Sequence, residues 1–190
     1  MNFIVSTTTL LKHLKSISGV LSTNNTLPIL ENFLFEIVPG QIIIHASDME
    51  TTITTTVKVE SKDAGSIAIP ARPLIETLSN FPEQPLTFSI DTKVHGIKIS
   101  TDNGEYKLTG HNGDEFPRVP KLTDAASIVI KTDIIGTAIN KTLFATGNDD
   151  LRPVMSGVFC QFSEEDTLFV ATDAHKLVKY RRTDAKAGSA

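Results

Sequence analysis

Apolar residues recur with a period near two in some stretches of the chain and near 3.6 in others, which predicts strands and helices respectively. Residues 2–5 alternate as a short strand, and Ser6 and Thr7 can cap a helix that runs to about residue 19. A second helix is predicted over residues 71–80. The predicted strands after the first helix are residues 29–38, 41–47, 51–60, 66–69, 86–90, 94–101 and 105–109. Two helices with several meandering strands predict an α+β fold.

The first helix has one apolar face and one basic face. Its apolar stripe comprises Leu10, Leu14, Ile17 and Leu21. Lys12 and Lys15 fall on the opposite face, and no acidic residue between positions 6 and 25 neutralises them. Arg72 begins the second helix. The pattern indicates a basic surface, although a solvated helix face is the ordinary explanation of such a lysine pair.

A second copy of this pattern follows at an offset of 125 residues, where Pro28 and Asp48 recur without a gap as Pro153 and Asp173. Its predicted elements are a strand at 127–131, a helix at 133–145 and strands at 154–162, 168–172 and 177–181. The side chains of its helix that should face inward are Ile134, Ile135, Ala138, Ile139 and Thr142. Because register holds across helix and strands, duplication is favoured over chance similarity of two strand pairs.

The repeat predicts two domains, residues 1–122 and an incomplete second domain at residues 123–190. Residues 110–123 contain glycines and prolines that break every period, so they are predicted to link the two copies. Because the second copy stops about half way, we expect the parent protein to be longer.

Composition narrows the class of protein. A net charge of −4 argues against a generally cationic nucleic-acid binder but permits a local basic surface. Cys160 lies in an apolar run and cannot form an internal disulfide, which predicts a buried thiol in a reducing compartment. The amino-terminal residues lack the features of a signal peptide, and no apolar run approaches a membrane span, so we expect a soluble cytoplasmic protein.

Catalytic motifs are sparse. The sequence has no phosphate-binding or dinucleotide-binding glycine motif, and no paired cysteines or HExxH that could hold a metal. The best catalytic candidates are Asp173 and His175 with Asp149 or Asp150 upstream, a set that could serve a metal- or acid/base-dependent hydrolase. A polar turn that bonds its own backbone is the alternative, and Asp48 at the matching position of the first copy favours it.

Three segments of the sequence are TLPILENFLFEI, GDEFPRVP and ATDAHKL. They resemble segments of the bacterial sliding clamps, the beta subunits of DNA polymerase III, and ATDAHKL resembles the family motif ATDGHRL. The match is collinear across all 190 residues. The resemblance implies a DNA-clamp fold with three similar domains per chain, the third absent here. It also implies a head-to-tail homodimeric ring around duplex DNA, acting as a non-catalytic processivity factor without cofactor or metal. The expected location is the cytoplasm, associated with the nucleoid and not with a membrane.

The same resemblance assigns candidate sites. Residues implied to face DNA are Lys12, Lys15, Arg72, Lys141 and Asn24, the last standing where some members carry arginine, which puts that contact in doubt. The implied pocket for short apolar peptides of the polymerase, the clamp loader and repair proteins comprises Met155, Thr172, Ala174, His175, Lys176 and Leu177. Here Ala174 replaces the usual glycine, and Lys176 replaces the usual arginine and so loses its planar fork. Core packing would explain Met155 and Leu177 equally well without the resemblance.

Dimer contacts in that family use the edge strand of the first domain, here residues 105–109 with Tyr106 and Leu108 on one face. Inward packing of the pair is the alternative. A sequence-specific DNA binder is disfavoured, because no basic helix ends in Arg, Asn or Gln positioned for base edges.

Overall fold

The computed structural model describes residues 1–21, 27–118, 128–149 and 151–186. The chain divides into two compact units, Met1–Lys121 and Leu122–Ala190. Within the described ranges, no helix is long and apolar enough to cross a membrane.

The first unit contains two antiparallel sheets and two helices. Its strands are β1 (Asn2–Ser6), β2 (Asn32–Val38), β3 (Gln41–Ser47), β4 (Thr52–Lys58), β5 (Gly65–Pro70), β6 (Pro85–Asp91), β7 (Gly96–Thr101), β8 (Gly104–Thr109) and β9 (His111–Asn112). The helices are α1 (Thr7–Ile17) and α2 (Ala71–Ser79), with 3-10 turns at Ser18–Val20, Pro28–Glu31 and Gly113–Glu115. One sheet has the strand order β1-β6-β7-β8 and the other β4-β3-β2-β5-β9. The predicted α+β class is therefore confirmed.

Helix α1 begins where the sequence predicts. The Ser6 hydroxyl accepts a hydrogen bond from the backbone N–H of Thr9 at 3.3 Å. Glu83 accepts hydrogen bonds from the Ser6 hydroxyl at 2.7 Å and the Thr8 N–H at 2.9 Å. Hydrogen bonds from the Thr8 and Ser6 side chains lower the pKa of Glu83, so the carboxylate stays charged at the positive end of the helix.

Both helices and both sheets contribute to one hydrophobic core in the first unit. Leu10 and Leu14 of α1 and Leu74 of α2 are completely buried in it. Across the β1–β6 ladder, Phe3 stacks on Phe88 with ring centroids 4.6 Å apart. Burial of the apolar stripe leaves the opposite side of α1 in solvent, which is what places Lys12 and Lys15 at the surface.

The second unit repeats the first half of this arrangement. It contains α3 (Thr132–Thr142), β10 (Phe159–Phe162), β11 (Thr167–Thr172) and β12 (Leu177–Arg182), with 3-10 turns at Leu143–Ala145 and Pro153–Met155. Its antiparallel sheet has the order β10-β11-β12. A shift of 125 residues carries α1 and its following 3-10 turn onto α3 and the turn after it without a change in length. The repeat seen in the sequence is therefore a repeat of structure.

Two strand predictions begin too early. Pro28–Glu31 and Pro153–Met155 form 3-10 turns, and the strands start only at Asn32 and Phe159. Proline fixes its own φ near the helical value and has no N–H to donate to a ladder, so each segment begins as a turn.

Several buried positions predicted for the second copy are exposed. Residues 128–131 form no strand, Ile139 is 36% exposed, and Cys160 is exposed although its counterpart Phe35 is fully buried. In the first unit β1 pairs with β6, and the same offset would place a counterpart of β6 at residues 210–216, beyond residue 190. The predictions of burial were wrong for these residues, because the given sequence does not include the segment that corresponds to β6.

The predicted linker is also wrong over its first half. His111–Asn112 pairs with β5, and Phe116 is only 3% exposed. A Cβ placed on Gly113 would lie 2.5 Å from Ser66 Oγ and 2.8 Å from the Ile67 nitrogen, so glycine is required for the close approach to β5. This segment belongs to the fold of the first unit.

Candidate functional site

The first unit presents an exposed basic helix surface. Lys12 and Lys15 on α1 and Arg72 at the start of α2 are all exposed, and the two helices contact each other. Of the ion pairs formed within the described ranges, none involves these three side chains. Their charges therefore remain available to a solvent-side partner. The fourth expected contact of this unit, Asn24, lies outside the described residues.

Lys141 is the corresponding candidate in the second unit. It lies exposed in the last turn of α3, where a cation interacts favourably with the helix dipole. Its Nζ is 5.1 Å from the centroid of the Tyr180 ring on β12, a cation–π contact. The Tyr180 hydroxyl accepts a hydrogen bond from Arg182 Nη1 at 3.2 Å. The ring thus holds the lysine ammonium against the sheet, a contact that the sequence did not indicate.

Asp173 forms a polar turn between β11 and β12. Its Oδ1 accepts hydrogen bonds from the backbone N–H groups of His175 at 2.9 Å and Lys176 at 2.8 Å, and its Oδ2 accepts one from Lys176 Nζ at 2.7 Å. The Lys176 side chain, followed by these two N–H groups, holds the pKa of Asp173 well below its usual range. Asp48 makes the same two backbone contacts, to Glu50 and Thr51. The polar-turn interpretation is confirmed.

The hydrolase alternative finds no support in this arrangement. Asp149 also closes a turn of its own, accepting hydrogen bonds from the Leu151 N–H at 3.0 Å and from Arg152 Nε at 2.8 Å, while Asp150 lies outside the described residues. Within the described ranges, no three His, Cys, Asp or Glu residues are placed to hold a metal ion. A carboxylate whose oxygens are already committed to N–H donors is a poor general base.

The candidate pocket residues lie around that turn. Thr172 and Leu177 are paired across β11 and β12, so their side chains share one face of the sheet. Leu177 is 65% exposed and Met155 is half-buried, so core packing does not explain Leu177. Ala174, His175 and Lys176 follow as exposed residues of the turn. The structure therefore leaves an apolar patch beside exposed polar groups.

Gly147 brings the two parts of this patch together, although nothing in the sequence pattern marks it as part of a site. Its N–H donates to the Met155 carbonyl at 2.8 Å. A Cβ at this position would lie 3.6 Å from Asp173 Cβ and 3.8 Å from Met155 Cβ. The sequence shows only an isolated glycine in a polar connector, which is common where backbones approach closely but does not indicate a site.

Strand β8 is the last strand of its sheet, as the edge prediction requires. Tyr106 is 44% exposed and its ring centroid is 4.6 Å from that of Phe81, while Leu108 packs partly against the core. Leu108 therefore packs inward, whereas Tyr106 contacts Phe81 and remains partly exposed. The outer main-chain edge of β8 has no strand neighbour in the described part of the chain.

Comparison with known proteins identifies the family. Residues 1–120 match the DNA polymerase III beta subunit, N-terminal domain, and residues 129–187 match its central domain. The beta sliding clamp of Staphylococcus epidermidis is 24% identical over 185 residues, covering 93% of this chain and 49% of the relative. That of Streptococcus pneumoniae is 25% identical over 191 residues, covering 96% of this chain and 50% of the relative. The chain thus spans about half the length of these relatives.

The solved structures agree in fold. The Bacillus subtilis DNA polymerase sliding clamp superposes with a TM-score of 0.91 at 23% identity, covering 98% of this chain and 51% of that one. This similarity confirms the predicted DNA-clamp fold. Since the N-terminal family match alone covers most of the sequence, the chain belongs to the DNA polymerase III beta subunit family of bacterial sliding clamps.

Proposed function

We propose that this chain forms the first two domains, the second incomplete, of a sliding clamp that encircles duplex DNA and tethers the replicative polymerase. The observation that carries the proposal is the exposed basic helix surface, Lys12, Lys15 and Arg72, on a protein of net charge −4. A general cationic binder would have an excess of positive charge, whereas this protein is acidic overall and presents a local basic surface on its helices. Such a local surface suits a ring with a basic lining.

Contact with DNA through these residues would be electrostatic and independent of sequence. Lysine ammonium groups interact with phosphates as point charges and make no contacts with base edges, so they do not distinguish between DNA sequences. Lys141 of the second unit would make a contact of the same kind. A lining of this kind permits sliding, because the protein is retained by closure of the ring and not by tight binding.

Partner proteins would bind at the second unit. The exposed Leu177 and the half-buried Met155 form an apolar binding surface for a short peptide. The turn residues Ala174, His175 and Lys176 can make polar contacts beside it. The flexible thioether side chain of Met155 can adapt to different ligands, which suits a binding surface for several peptides from the polymerase, the clamp loader and repair proteins. In this role the protein is a non-catalytic subunit, and it would work in the cytoplasm with the nucleoid.

Ring closure would use the free edge of β8. An edge strand can add a neighbour through main-chain hydrogen bonds, and the exposed part of Tyr106 can extend the contact through its ring. We propose that the neighbour is the third domain of a second copy, which would give a head-to-tail homodimer.

The test is topological. The full-length protein is loaded by its clamp loader onto nicked circular DNA, transferred to high salt, and the circle is then cut. We expect the protein to stay on the circle and to leave the linear DNA, because phosphate contacts do not depend on free ends. Equal retention on both forms would indicate ordinary binding and contradict the proposal.

A further inference from the structure

The sequence contains two Asn-Gly dipeptides, Asn103 with Gly104 and Asn112 with Gly113, and both lie in the first unit. In this dipeptide the backbone nitrogen of the glycine can attack the side-chain amide of the asparagine, because glycine has no Cβ to hinder the approach. The structure places the two dipeptides in different surroundings, so their reactivity should differ.

The first dipeptide is open to solvent. Asn103 is exposed in the two-residue turn between β7 and β8, a hairpin closed by the pair Thr101 and Gly104. Its backbone N–H donates to the Thr101 hydroxyl at 3.2 Å, whereas its side-chain amide forms no hydrogen bond within the described part of the chain. A Cβ placed on Gly104 would meet no atom within 4 Å. The side chain of Asn103 is therefore free to turn toward the Gly104 nitrogen.

The second dipeptide is held in place. Asn112 Oδ1 accepts a hydrogen bond from the Asp114 N–H at 3.1 Å and so caps the 3-10 turn that follows. Gly113 is buried, and a Cβ on it would lie 2.5 Å from Ser66 Oγ. The same attack at Asn112 would have to break this cap and lift the segment from β5. It must therefore wait for local opening of the fold.

We propose that Asn103 is a site of spontaneous deamidation and that the fold protects Asn112 from the same reaction. The Gly104 nitrogen gives up its proton to solvent and bonds to Cγ of Asn103. The Cγ–Nδ2 bond then breaks, and the side-chain nitrogen leaves as ammonia. Water opens the resulting cyclic imide at either carbonyl, which gives aspartate or isoaspartate. In isoaspartate the main chain runs through Cβ and Cγ.

Either product alters the hairpin that leads into the edge strand β8. Each adds a negative charge between Asp102 and Glu105, and isoaspartate also lengthens the main chain inside a two-residue turn. The length of the turn sets the pairing register of a hairpin. Isoaspartate should therefore loosen the pairing of Ser100 with Glu105, and with it the ion pair between Glu105 and Lys98 at 3.0 Å.

The test follows both sites by mass spectrometry while the folded chain is kept in mildly alkaline buffer. Cleavage after lysine and arginine releases residues 99–107 and 108–118, each of which contains one of the dipeptides. Synthetic peptides with these two sequences give the rates without the fold. Gly104→Ala is the matched variant, because its Cβ has room in the fold while the added methyl group hinders the attack.

We expect the fold to slow Asn112, relative to its free peptide, by at least about tenfold more than it slows Asn103, since Asn112 reacts only during local opening. Gly104→Ala should slow deamidation of Asn103 by at least about tenfold and leave Asn112 unchanged. Equal protection of both sites by the fold would overturn the proposal, as would faster reaction at Asn112.

Hydrogen exchange separates the effect of the added charge from that of the lengthened main chain. The isoaspartate form, purified from the aged protein, is compared with Asn103→Asp, which carries the same charge on an ordinary main chain. We expect the amides of β8 to exchange faster in the isoaspartate form than in Asn103→Asp. Equal exchange in the two forms would contradict the loosening of the hairpin.

Discussion

Met49 and Ala174 occupy the same place in two turns that are 125 residues apart, and both have a positive φ, 80° and 73° respectively. Each residue follows an aspartate whose Oδ1 accepts two backbone N–H groups, from Glu50 and Thr51 in one turn and from His175 and Lys176 in the other. A side chain with a Cβ is strained in this left-handed region. The repeat has therefore preserved a backbone conformation that neither residue prefers.

Ala174→Gly should relieve this strain and raise the free energy of unfolding by about 1 kcal/mol. Urea denaturation followed by circular dichroism measures the change. Ala174→Val is the opposite control and should lower stability, because a β-branched residue tolerates positive φ even less. A lower stability for Ala174→Gly would contradict the argument from strain.

Asp173 should titrate below the ordinary value of about 4 for an aspartate, because the Lys176 ammonium and two backbone N–H groups stabilise its charged form. Its contribution to stability is complete above about pH 4 and is lost as pH falls through the lowered pKa. Carboxyl-carbon NMR gives the midpoint directly. Lys176→Met should raise the pKa of Asp173, whereas Lys179→Met, which removes a lysine of β12 that makes no hydrogen bond to Asp173, should leave it nearly unchanged.

The salt dependence of DNA binding should report the basic helix surface. Replacing Lys12 and Lys15 together by alanine should reduce the slope of log K against log salt by up to roughly 1.8, about 0.9 for each phosphate that is no longer neutralised. Fluorescence anisotropy with unrelated duplex sequences is the measurement, and the reduction should be equal for all of them. Lys62→Ala plus Lys93→Ala removes the same charge away from the helices. An equal reduction of the slope in that control would contradict a localised surface.

Gly113→Ala should destabilise the first unit by about 1–3 kcal/mol, since the added methyl group would overlap Ser66 and the Ile67 nitrogen. Urea denaturation again gives the size of the effect. Gly104→Ala is the control, because a Cβ there meets no atom within 4 Å. If the two substitutions cost the same, the segment after β9 is not held by close packing.

The secondary-structure elements and their order could be predicted from periodicity, because elements such as α1 and β3 are specified by residues that are close together in the sequence. Leu10 and Leu14 recur at helical spacing, and each is buried as predicted. The errors arise where burial depends on a distant element. Cys160 and Ile139 lie among apolar residues, which favours their burial. The periodicity of the sequence does not show whether another strand covers them.

Candidate sites were less predictable than the elements. The Asp173 turn could be inferred because its aspartate also occurs in the first copy. Gly147 and Tyr180 could not, since their roles depend on contacts between segments that are far apart in sequence. The glycine and prolines after β9 predicted a linker. Glycine occurs both in flexible linkers and where two backbones approach closely, so its presence does not distinguish these cases. Only the contact of Gly113 with Ser66, which the structure shows, identifies a close approach.

The thiol of Cys160 is exposed where its counterpart Phe35 is buried, and it is the only cysteine in the sequence. It is therefore a built-in chemical reporter of whether that face of the second sheet is covered. Partial burial raises its pKa, so labelling requires mildly alkaline solution. Slower labelling after another segment packs against the strand would record that event without the introduction of any foreign residue.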